Sequence, residues 1–227
     1  LELALFSLFI AIFFGIPLGI YAGLKPKSKV SKTIMAGSIL GFSMPTFWVG
    51  IIFIMIFAVH LGWLPSTGRG ELGTFLGIQS SLFTANGLSH VFLPALNLAL
   101  FKMSSVIRLT RAGTREIILQ DYITFARSKG LSEEKVVLVH VLRNILIPIV
   151  TVIGLEFGSL IAFSTVTETI FAWPGMGKLI IDSIYNLDRP VIVAYLMIIV
   201  TFFVFLNLLV DILYSLLDPR VRVKGAN

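Results

Sequence analysis

The sequence predicts an all-α integral membrane protein with five transmembrane helices. Of its 227 residues, 56% are hydrophobic and only 13% are charged, and the mean hydropathy is +0.95. Soluble domains have about a quarter of their residues charged, so this composition excludes an ordinary soluble fold. Several uncharged runs reach the length of about 20 residues that a helix needs to cross the hydrocarbon core. The basic residues, moreover, are concentrated in segments that fall on one side of the membrane.

Five apolar runs define the predicted spans, which are residues 3–24, 33–64, 90–107, 145–166 and 190–210. The second run is too long for one straight crossing, because its helix would measure about 48 Å against a hydrocarbon core of about 30 Å. Pro45 is expected to kink or divide it, since proline cannot continue the backbone hydrogen-bond ladder. The third run contains Lys102, whose ammonium group is expected to reach the cytoplasmic edge of the membrane.

The placement of the basic residues predicts the orientation. Of the 18 Lys and Arg residues, 14 lie in three segments: after span 1, between spans 3 and 4, and in the tail. With five spans, these segments share one side of the membrane. Cytoplasmic loops are enriched in Lys and Arg, so the chain is predicted to begin on the outer side and to end in the cytoplasm. The same placement argues against a nucleic-acid partner as the reason for the net charge of +6.

Two loops are predicted on the outer side. Residues 62–89 are rich in Gly, Ser and Thr with interspersed apolar pairs, and we expect them to rest on the membrane surface or to cap the outer mouth. Residues 171–189 contain Trp173, Pro174 and Gly175. Two interpretations of these three residues stay open: they form an outer gate, or their aromatic neighbourhood is a belt at the membrane interface.

Residues 121–148 form a charged, helix-prone island of 28 residues between two apolar runs. Four apolar residues recur at the spacing of one face of a short helix: Ile118, Tyr122, Phe125 and Ala126. Gly130 is expected to end that helix, and Ser132 to cap a second helix that leads into span 4. The island thus predicts a helix, a tight turn and a helix at the cytoplasmic surface, which either dock on a soluble partner or rest on lipid headgroups.

Four stretches of the sequence carry a family likeness: DYITFARSKGLSEEKV at 121–136, LRNILIPIVT at 142–151, TETIFAWPGMGKLIIDSI at 167–184 and NLLVDILYSLLDPRVR at 207–222. Together they resemble ABC-transporter permease subunits, specifically the B-type subunits of bacterial dipeptide, oligopeptide and nickel importers. The island resembles the cytoplasmic EAA loop of that family. Two features depart from the pattern: the Glu-Ala-Ala triplet is Thr124-Phe125-Ala126 here, and the distance from Gly130 to the Ile-x-x-Pro element is longer than the general one.

The resemblance implies the fold of a type I ABC importer permease in the bacterial cytoplasmic (inner) membrane. Residues 1–227 would form a single transmembrane permease domain, and residues 112–144 its cytoplasmic coupling loop. Such permeases usually have six spans, so a further span and an outer domain are expected to precede residue 1. The implied function is the translocation of peptides or similar small solutes, driven by ATP.

The resemblance also implies the partners. These are a second homologous permease subunit, two cytoplasmic ATPase subunits and an extracytoplasmic substrate-binding protein, in addition to membrane lipid. This chain is expected to bind no cofactor, while ATP and Mg²⁺ bind the ATPase subunits. The turn of the coupling loop would sit in a groove of an ATPase subunit. The residues implied in this coupling are Asp121, Tyr122, Phe125, Ala126, Arg127, Lys129, Gly130 and Leu131.

Three residues are candidates for the translocation path. Glu156 lies in the middle of span 4, where a charge costs about 2.5–3.5 kcal/mol on insertion scales. Met44 and Pro45 lie at the expected break in span 2. The alternative for Glu156 is a protonated carboxyl, or a hydrogen bond to a neighbouring helix. Three Gly-x-x-x-Gly pairs, at 15/19, 37/41 and 154/158, permit close helix approach and are expected to contact another membrane subunit.

An enzyme is not expected. The chain has no Cys and only three His, none of them at metal-ligand spacing, so no metal site is predicted. The segment from Gly175 to Lys178 lacks the first Gly and the final Ser or Thr of a phosphate-binding P-loop. Two alternatives remain. An ion-coupled secondary transporter would carry more intramembrane charge and internal repeats, and a purely structural membrane subunit would not explain the charged island.

Overall fold

The computed structural model describes the backbone of residues 1–217, and the side chains in that range except 147, 155–157, 159, 161–163, 211 and 213–217. The side chain of Glu156 and the basic tail therefore lie outside the described residues. The helices of the described part are α1 (Glu2–Leu24), α2 (Lys29–Ser43), α3 (Thr46–Phe53), α4 (Ala85–Ile117), α5 (Asp121–Ser128), α6 (Glu133–Lys135), α7 (Leu142–Ile170), α8 (Met176–Tyr185) and α9 (Arg189–Leu217). Two π-helical segments, Ile54–His60 after α3 and Val136–Val141 before α7, continue these helices.

Four helical stretches of the described chain are long and apolar enough to cross a membrane: Glu2–Leu24, Ala85–Ile117, Glu133–Gly154 and Arg189–Val210. A fifth span results if α2, α3 and the π-helical segment after α3 cross the membrane together, although the two halves are bent by 107°. The predicted number of five spans therefore agrees with the structure when this bent pair counts as one span.

The break in the second span lies at Pro45, as predicted. α2 ends at Ser43 and α3 begins at Thr46. Between them Met44 is extended, with φ −83° and ψ 136°, the conformation that a residue before proline prefers. Because Pro45 has no N–H to donate to the preceding turn, the helix stops there and a new helix starts in another direction.

α1 and α4 run parallel and pack along a seam of small residues. Three glycines of α1 face three residues of α4 at a constant step of four: Gly15 with Val106, Gly19 with Thr110, and Gly23 with Thr114. A Cβ on Gly19 would lie 2.5 Å from the Cβ of Thr110, which is closer than real Cβ atoms approach. The side-chain hydrogen of glycine is therefore what allows the two backbones to meet.

The predicted contact of the glycine pairs with another subunit is wrong for two of the three pairs. The first pair belongs to the seam with α4. The third pair also packs within the chain, because Gly154 lies against Val210 and Gly158 against Phe203, both on α9. Glycine spacing indicates close approach, but it does not reveal which helix approaches. In the second pair, a Cβ on Gly41 would lie 3.2 Å from Ser104 Oγ of α4, whereas at Gly37 it would meet no described atom within 4 Å. The contact with another subunit therefore stays a prediction for Gly37 alone.

α7 runs antiparallel to α4. Asn97 Nδ2 donates a hydrogen bond to Thr167 Oγ1 (3.1 Å) at one end of the pair, and Gly113 lies beside Ile145 at the other end. The loop between α4 and α7, which contains α5 and α6, is therefore at the opposite end of the bundle from the turn between α7 and α8. We call these the predicted cytoplasmic end and the predicted outer end.

Lys102 does not reach the cytoplasmic edge, which corrects the prediction. It is only 5% exposed, and its Nζ lies 5.6 Å from the centroid of the Phe101 ring. The reason is the length of α4, which continues for 15 residues beyond Lys102 and includes Arg108, Arg111 and Arg115 in its last turns. Lys102 is thus in the middle of a helix of 33 residues rather than near its end.

The first of the two loops predicted on the outer side contains a small antiparallel hairpin that the sequence analysis did not predict. Its strands are β1 (Gly73–Phe75) and β2 (Ile78–Ser80), paired Gly73 to Ser80, Thr74 to Gln79 and Phe75 to Ile78. Leu76 and Gly77 connect the strands, both with positive φ. A short 3₁₀ turn, Ser81–Phe83, then leads into α4.

Candidate functional site

The turn between α5 and α6 is closed by a Schellman motif. Gly130 has a φ of +80°, a left-handed conformation that glycine adopts without steric cost. Its N–H donates to the carbonyl of Arg127 (2.9 Å), and the N–H of Leu131 donates to the carbonyl of Ala126 (3.3 Å). These two bonds satisfy carbonyl groups that the end of a helix leaves open. The prediction that Gly130 ends the first helix is confirmed.

The second helix begins at the predicted cap. Ser132 Oγ accepts a hydrogen bond from the N–H of Lys135 (3.4 Å). Across the turn, the Glu133 carboxylate accepts two bonds from the guanidinium of Arg127, at 2.7 Å from Nε and 3.1 Å from Nη2. Both side chains are exposed to solvent. This ion pair therefore orients the turn more than it stabilises it.

The buried face of α5 differs from the predicted stripe. Ile123 is fully buried and Ala126 is 5% exposed, and both pack in one cluster with Val136, Val141 and Ile145. Among the four predicted stripe residues only Ala126 is buried. The sequence signal for Ile123 is its three-residue spacing to Ala126, which the longer stripe through Tyr122 and Phe125 concealed. Which of the two apolar faces of α5 is buried depends on the side from which the helical segment after the turn packs against α5.

Tyr122 connects α5 to the start of α7. Its hydroxyl accepts a hydrogen bond from Asn144 Nδ2 (3.3 Å), and its ring lies 6.3 Å from the His140 imidazole. Asn144 Nδ2 also donates to the His140 carbonyl (2.6 Å). Together with the buried Ile123, these contacts join α5 to the helix that continues into span 4.

The remaining surface of the turn points away from the chain. All eight predicted coupling residues except Ala126 are exposed: Asp121, Tyr122, Phe125, Arg127, Lys129, Gly130 and Leu131. Phe125 is the most exposed of the large apolar side chains among them, at 60%, and the Nζ of Lys129 lies 4.5 Å from its ring centroid. An apolar ring framed by basic groups suits a groove of another protein. That these residues contact an ATPase subunit stays a prediction.

The three predicted path residues are not brought together by the described contacts. Met44 is half-buried and Pro45 is exposed, both at the break between α2 and α3. The backbone of Glu156 lies in α7, but its side chain is outside the described residues. Their role in translocation stays a prediction.

The predicted gate residues lie in a turn that is anchored to the bundle. Trp173 is buried in a cluster with Leu3, Val91 and Leu160, so it is not part of an exposed interface belt. Pro174 is exposed and Gly175 is half-buried. The guanidinium carbon of Arg69 lies 5.9 Å from the Trp173 ring centroid. The turn is therefore held from several sides, while its proposed movement as a gate stays a prediction.

Glu168, which the sequence analysis missed, holds the start of α8. It is 6% exposed, and its Oε2 accepts hydrogen bonds from the N–H groups of Gly177 (2.7 Å) and Lys178 (3.1 Å). Its Oε1 accepts a bond from Ser164 Oγ (3.3 Å). A Cβ on Gly175 would occupy the position of this carboxyl group. A carboxylate at a helix N-terminus satisfies free N–H groups and complements the helix dipole.

A cavity of about 470 Å³ opens beside this turn at the predicted outer end. Glu2 and Arg69, which form an ion pair of 2.7 Å, line this cavity together with Phe202 and Ile198 of α9. Among the described residues, no three His, Asp or Glu side chains come close enough together to hold a metal ion.

Comparison with known proteins identifies the family. Residues 15–223 match the model of the binding-protein-dependent transport system inner membrane component. The chain is 42% identical to the di/tripeptide transport system permease protein DppB of Pseudomonas aeruginosa (strain UCBPP-PA14), over 98% of this chain and 70% of that protein. It is 41% identical to the oligopeptide transport system permease protein AppB of Bacillus subtilis (strain 168), over 98% and 68%.

A third relative is the glutathione transport system permease protein GsiC of Escherichia coli O1:K1 / APEC, 38% identical over 99% of this chain and 68% of that protein. Among solved structures, an inward-facing MetNI methionine ABC transporter aligns with 95% of this chain and 91% of its own, with a TM-score of 0.72 and 17% identity. That likeness confirms the type I importer permease fold.

These matches support a transporter that hydrolyses ATP on separate subunits, and none of them favours the ion-coupled secondary transporter or the purely structural subunit. The chain belongs to the binding-protein-dependent transport system inner membrane components, and it is a membrane-spanning permease subunit of an ABC importer.

Proposed function

We propose that this chain forms part of the translocation path for short peptides in the bacterial cytoplasmic membrane, with its C-terminus in the cytoplasm. The names of its relatives support this cargo, since they refer to di- and tripeptides, oligopeptides and glutathione. The complex would contain a second homologous permease subunit, two ATPase subunits and an extracytoplasmic binding protein. ATP and Mg²⁺ would bind the ATPase subunits, and this chain would bind no cofactor.

The observation that carries the coupling proposal is the two-sided character of α5. One side buries Ile123 and Ala126 against the chain itself, while the other leaves the Phe125 ring exposed at the predicted cytoplasmic end. We assign residues 112–144 as the coupling loop, within a single permease domain over 1–227. Phe125 and Leu131 would enter a groove of an ATPase subunit, and Gly130 would set the direction of the turn.

The charged residues of the turn would act at the edge of that groove. Arg127 and Lys129 would meet acidic groups of the ATPase subunit, and Asp121 would stabilise the start of α5 through the helix dipole. When the two ATPase subunits close on ATP, α5 would move with them. Its hydrogen bond through Tyr122 and its packing through Ile123 would carry this movement into α7.

The movement of α7 would change the path from inward-facing to outward-facing. Met44 and Pro45 would line the path at the break in span 2, and Glu156 would attract the peptide's amino group. Trp173, Pro174 and Gly175 would move with the outer end of α7 as a gate. The binding protein would then release its peptide into the opened path.

The transport proposal is tested with the complete complex in proteoliposomes, with a radiolabelled dipeptide supplied through the binding protein. Uptake is expected only when ATP is present on the ATPase side. Uptake driven by a proton or sodium gradient without ATP would contradict the proposal. Equal uptake without the binding protein would contradict the assignment of that partner.

The coupling site is tested by Phe125→Ala, with Phe47→Ala in α3 as a control of the same residue type and similar exposure. Loss of the ring from the docking surface is expected to lower the dipeptide taken up per ATP hydrolysed by about tenfold, because a few buried aromatic side chains carry most of the energy of a protein interface. Phe47→Ala is expected to leave this ratio unchanged. Equal ratios for the two variants would remove Phe125 from the coupling site.

A further inference from the structure

Two leucines at the predicted outer end have a backbone conformation that leucine rarely adopts. Leu76 in the hairpin has a φ of +49°, and Leu187 between α8 and α9 has a φ of +56°. Glycine occupies this left-handed region freely because it has no Cβ to approach the backbone carbonyl, and asparagine tolerates it because its short polar side chain can form a local hydrogen bond. Both leucines are nonetheless exposed, Leu76 by 86% and Leu187 by 81%.

Packing within the chain does not account for these leucines. Leu76 is at the tip of the hairpin, where its neighbours Phe75 and Ile78 are also exposed. Leu187 follows Tyr185, which is exposed as well.

The local turns require the positive φ, because a two-residue hairpin turn needs it at both central positions and Leu187 lies at the end of α8 in a Schellman motif, where the N–H of Asp188 donates to the carbonyl of Ser183 (2.9 Å). Glycine would meet this requirement at lower cost, and the exposed leucine side chains make no packing contribution in the described part of the chain that would explain their presence. The two tips therefore indicate an apolar contact outside this chain.

The position of each tip next to the end of a spanning helix favours lipid as that contact. Leu187 precedes Arg189, the first residue of α9, by only two residues. The base of the hairpin is next to α4, since a Cβ on Gly73 would lie 2.7 Å from the Cβ of Phe83, two residues before that helix. A strand of three residues is about 10 Å long, so the Leu76 tip remains within about that distance of the membrane end of α4.

The chemistry of the hairpin agrees with this position. Residues 72–80 contain no charged side chain, whereas a surface that recognises a soluble protein usually has a polar and charged rim. The two strands are hydrogen-bonded to each other through the Thr74–Gln79 register, so the tip exposes few unpaired backbone groups. Apolar and aromatic side chains of this kind enter the boundary between headgroups and acyl chains.

We propose that the hairpin tip (Phe75, Leu76, Ile78) and the α8–α9 corner (Tyr185, Leu187) insert into the outer leaflet of the lipid bilayer. The ligand is the apolar boundary between the headgroups and the acyl chains of phospholipids. These two anchors hold the outer loops against the membrane beside the mouth of the path. The inference rests on the orientation given under the proposed function, and it is independent of the solute that is carried.

The absence of cysteine from the chain allows a direct test. Leu76→Cys and Leu187→Cys are made one at a time, and each cysteine is spin-labelled in the complete complex. The partner subunits have no reactive cysteine, and the complex is held in nanodiscs of phosphatidylcholine and phosphatidylglycerol. Collisions of the label with oxygen, which concentrates in lipid, are compared with collisions with a water-soluble nickel chelate. Glu71→Cys at the base of the hairpin serves as the aqueous control, and Val200→Cys in α9 as the lipid control.

At both leucine positions the ratio of oxygen to nickel collisions is expected to lie between the two controls and at least threefold above that of Glu71→Cys. A ratio equal to that of Glu71→Cys would overturn the proposal for the position concerned. If neither oxygen nor the nickel chelate collides with the label, the proposal is also overturned, because the side chain is then covered by protein. If both reagents are excluded only after the binding protein is added, the surface contacts that protein instead of lipid. If Glu71→Cys gives the collision ratio of water and Val200→Cys that of lipid, a negative result at the leucines contradicts only the lipid contact. The proposed transport function is not affected by that result.

A second variant separates anchoring from folding. Leu76→Asn removes the apolar side chain but suits the left-handed backbone, so the hairpin is expected to keep its fold. A label at Ile78→Cys should then show at least a twofold lower ratio of oxygen to nickel collisions than in the parent with Leu76. An unchanged ratio would show that Leu76 does not hold the tip in the lipid.

Discussion

The two turns at opposite ends of α7 use the same kinds of residue in opposite ways. In the α5–α6 turn, the carboxylate of Glu133 is exposed and accepts hydrogen bonds from Arg127, which is also exposed. In the α7–α8 turn, the carboxylate of Glu168 is buried and bonds to backbone N–H groups. Gly130 is needed for its positive φ, whereas Gly177 is needed because Thr165 and Glu168 occupy the space of a side chain.

This difference shows which turn is complete by itself. The outer turn satisfies its polar groups within the chain and packs Trp173 into the core. The cytoplasmic turn leaves the Phe125 ring in solvent, which is unfavourable unless another surface covers it. Mutations in the outer turn should therefore affect stability first, and mutations in the cytoplasmic turn should affect coupling first.

The largest effect on stability is expected for Glu168→Ala. It leaves the N–H groups of Gly177 and Lys178 without their acceptor next to a buried helix start, with an expected loss of about 3 kcal/mol in the free energy of unfolding. Glu168→Gln keeps an acceptor oxygen and should lose about half as much. Thermal melting of the purified complex in detergent measures both. If Glu168→Ala melts at the temperature of the parent, the carboxylate does not hold the turn.

A smaller loss is expected for Gly177→Ala. The added Cβ would lie 2.5 Å from the Cα of Thr165, so the backbone of α7 or α8 must shift. Overpacking of this kind costs about 1–3 kcal/mol. Gly130→Ala is the control, because no described atom lies within 4 Å of its added Cβ and only the backbone strain remains. Melting points in the reverse order would contradict the steric role assigned to Gly177.

Gly130→Val should uncouple transport from ATP hydrolysis while the spans remain inserted. A β-branched residue at φ +80° is strained by about 1–2 kcal/mol, and the turn is expected to relieve that strain by changing direction. Gly130→Asn tolerates the left-handed conformation and should transport at close to the parental rate. Uptake per ATP hydrolysed and the amount of inserted protein are measured together. Normal transport by Gly130→Val would disprove the docking assignment of the turn.

The smallest effect on stability is expected for Arg127→Ala, which breaks the exposed ion pair across the cytoplasmic turn. Exposed pairs contribute little, because water and salt screen them. Lys178→Ala at the other end of the molecule breaks an equally exposed pair with Asp182 (2.6 Å) and should behave alike. Neither variant should shift the melting point measurably. A shift at Arg127 as large as that of Glu168→Ala would mean that the ion pair closes the turn.

Features that depend on neighbours along the chain were predictable from the sequence. The break at Pro45, the left-handed Gly130 and the cap at Ser132 all follow from the chemistry of single residues within about one helical turn. The spans followed from apolar length. The position of Ile123 was not predictable in the same way, since two apolar faces of α5 competed and only the covering helix distinguishes them.

Features that join distant segments were missed or misplaced. Glu168 bonds to N–H groups nine and ten residues away, beyond any local pattern. The glycine pairs of α1 and α7 indicated close contact, but the partner helices α4 and α9 lie far along the chain. Lys102 was misplaced because the length of α4 beyond the apolar run depends on its packing against α1.

The sequence by itself determined that the chain crosses a membrane about five times and where a helix–turn–helix unit interrupts it, and it predicted how the charges orient the chain. Hydrophobic length, charge asymmetry and the conformational limits of Gly and Pro are properties of short segments, so they can be read without a fold. Only the tertiary structure decided which face of α5 is buried, which helices the glycines separate, and that Glu168 closes the outer turn. Those outcomes depend on contacts between residues far apart in the chain, and a linear pattern does not encode the direction from which a partner arrives.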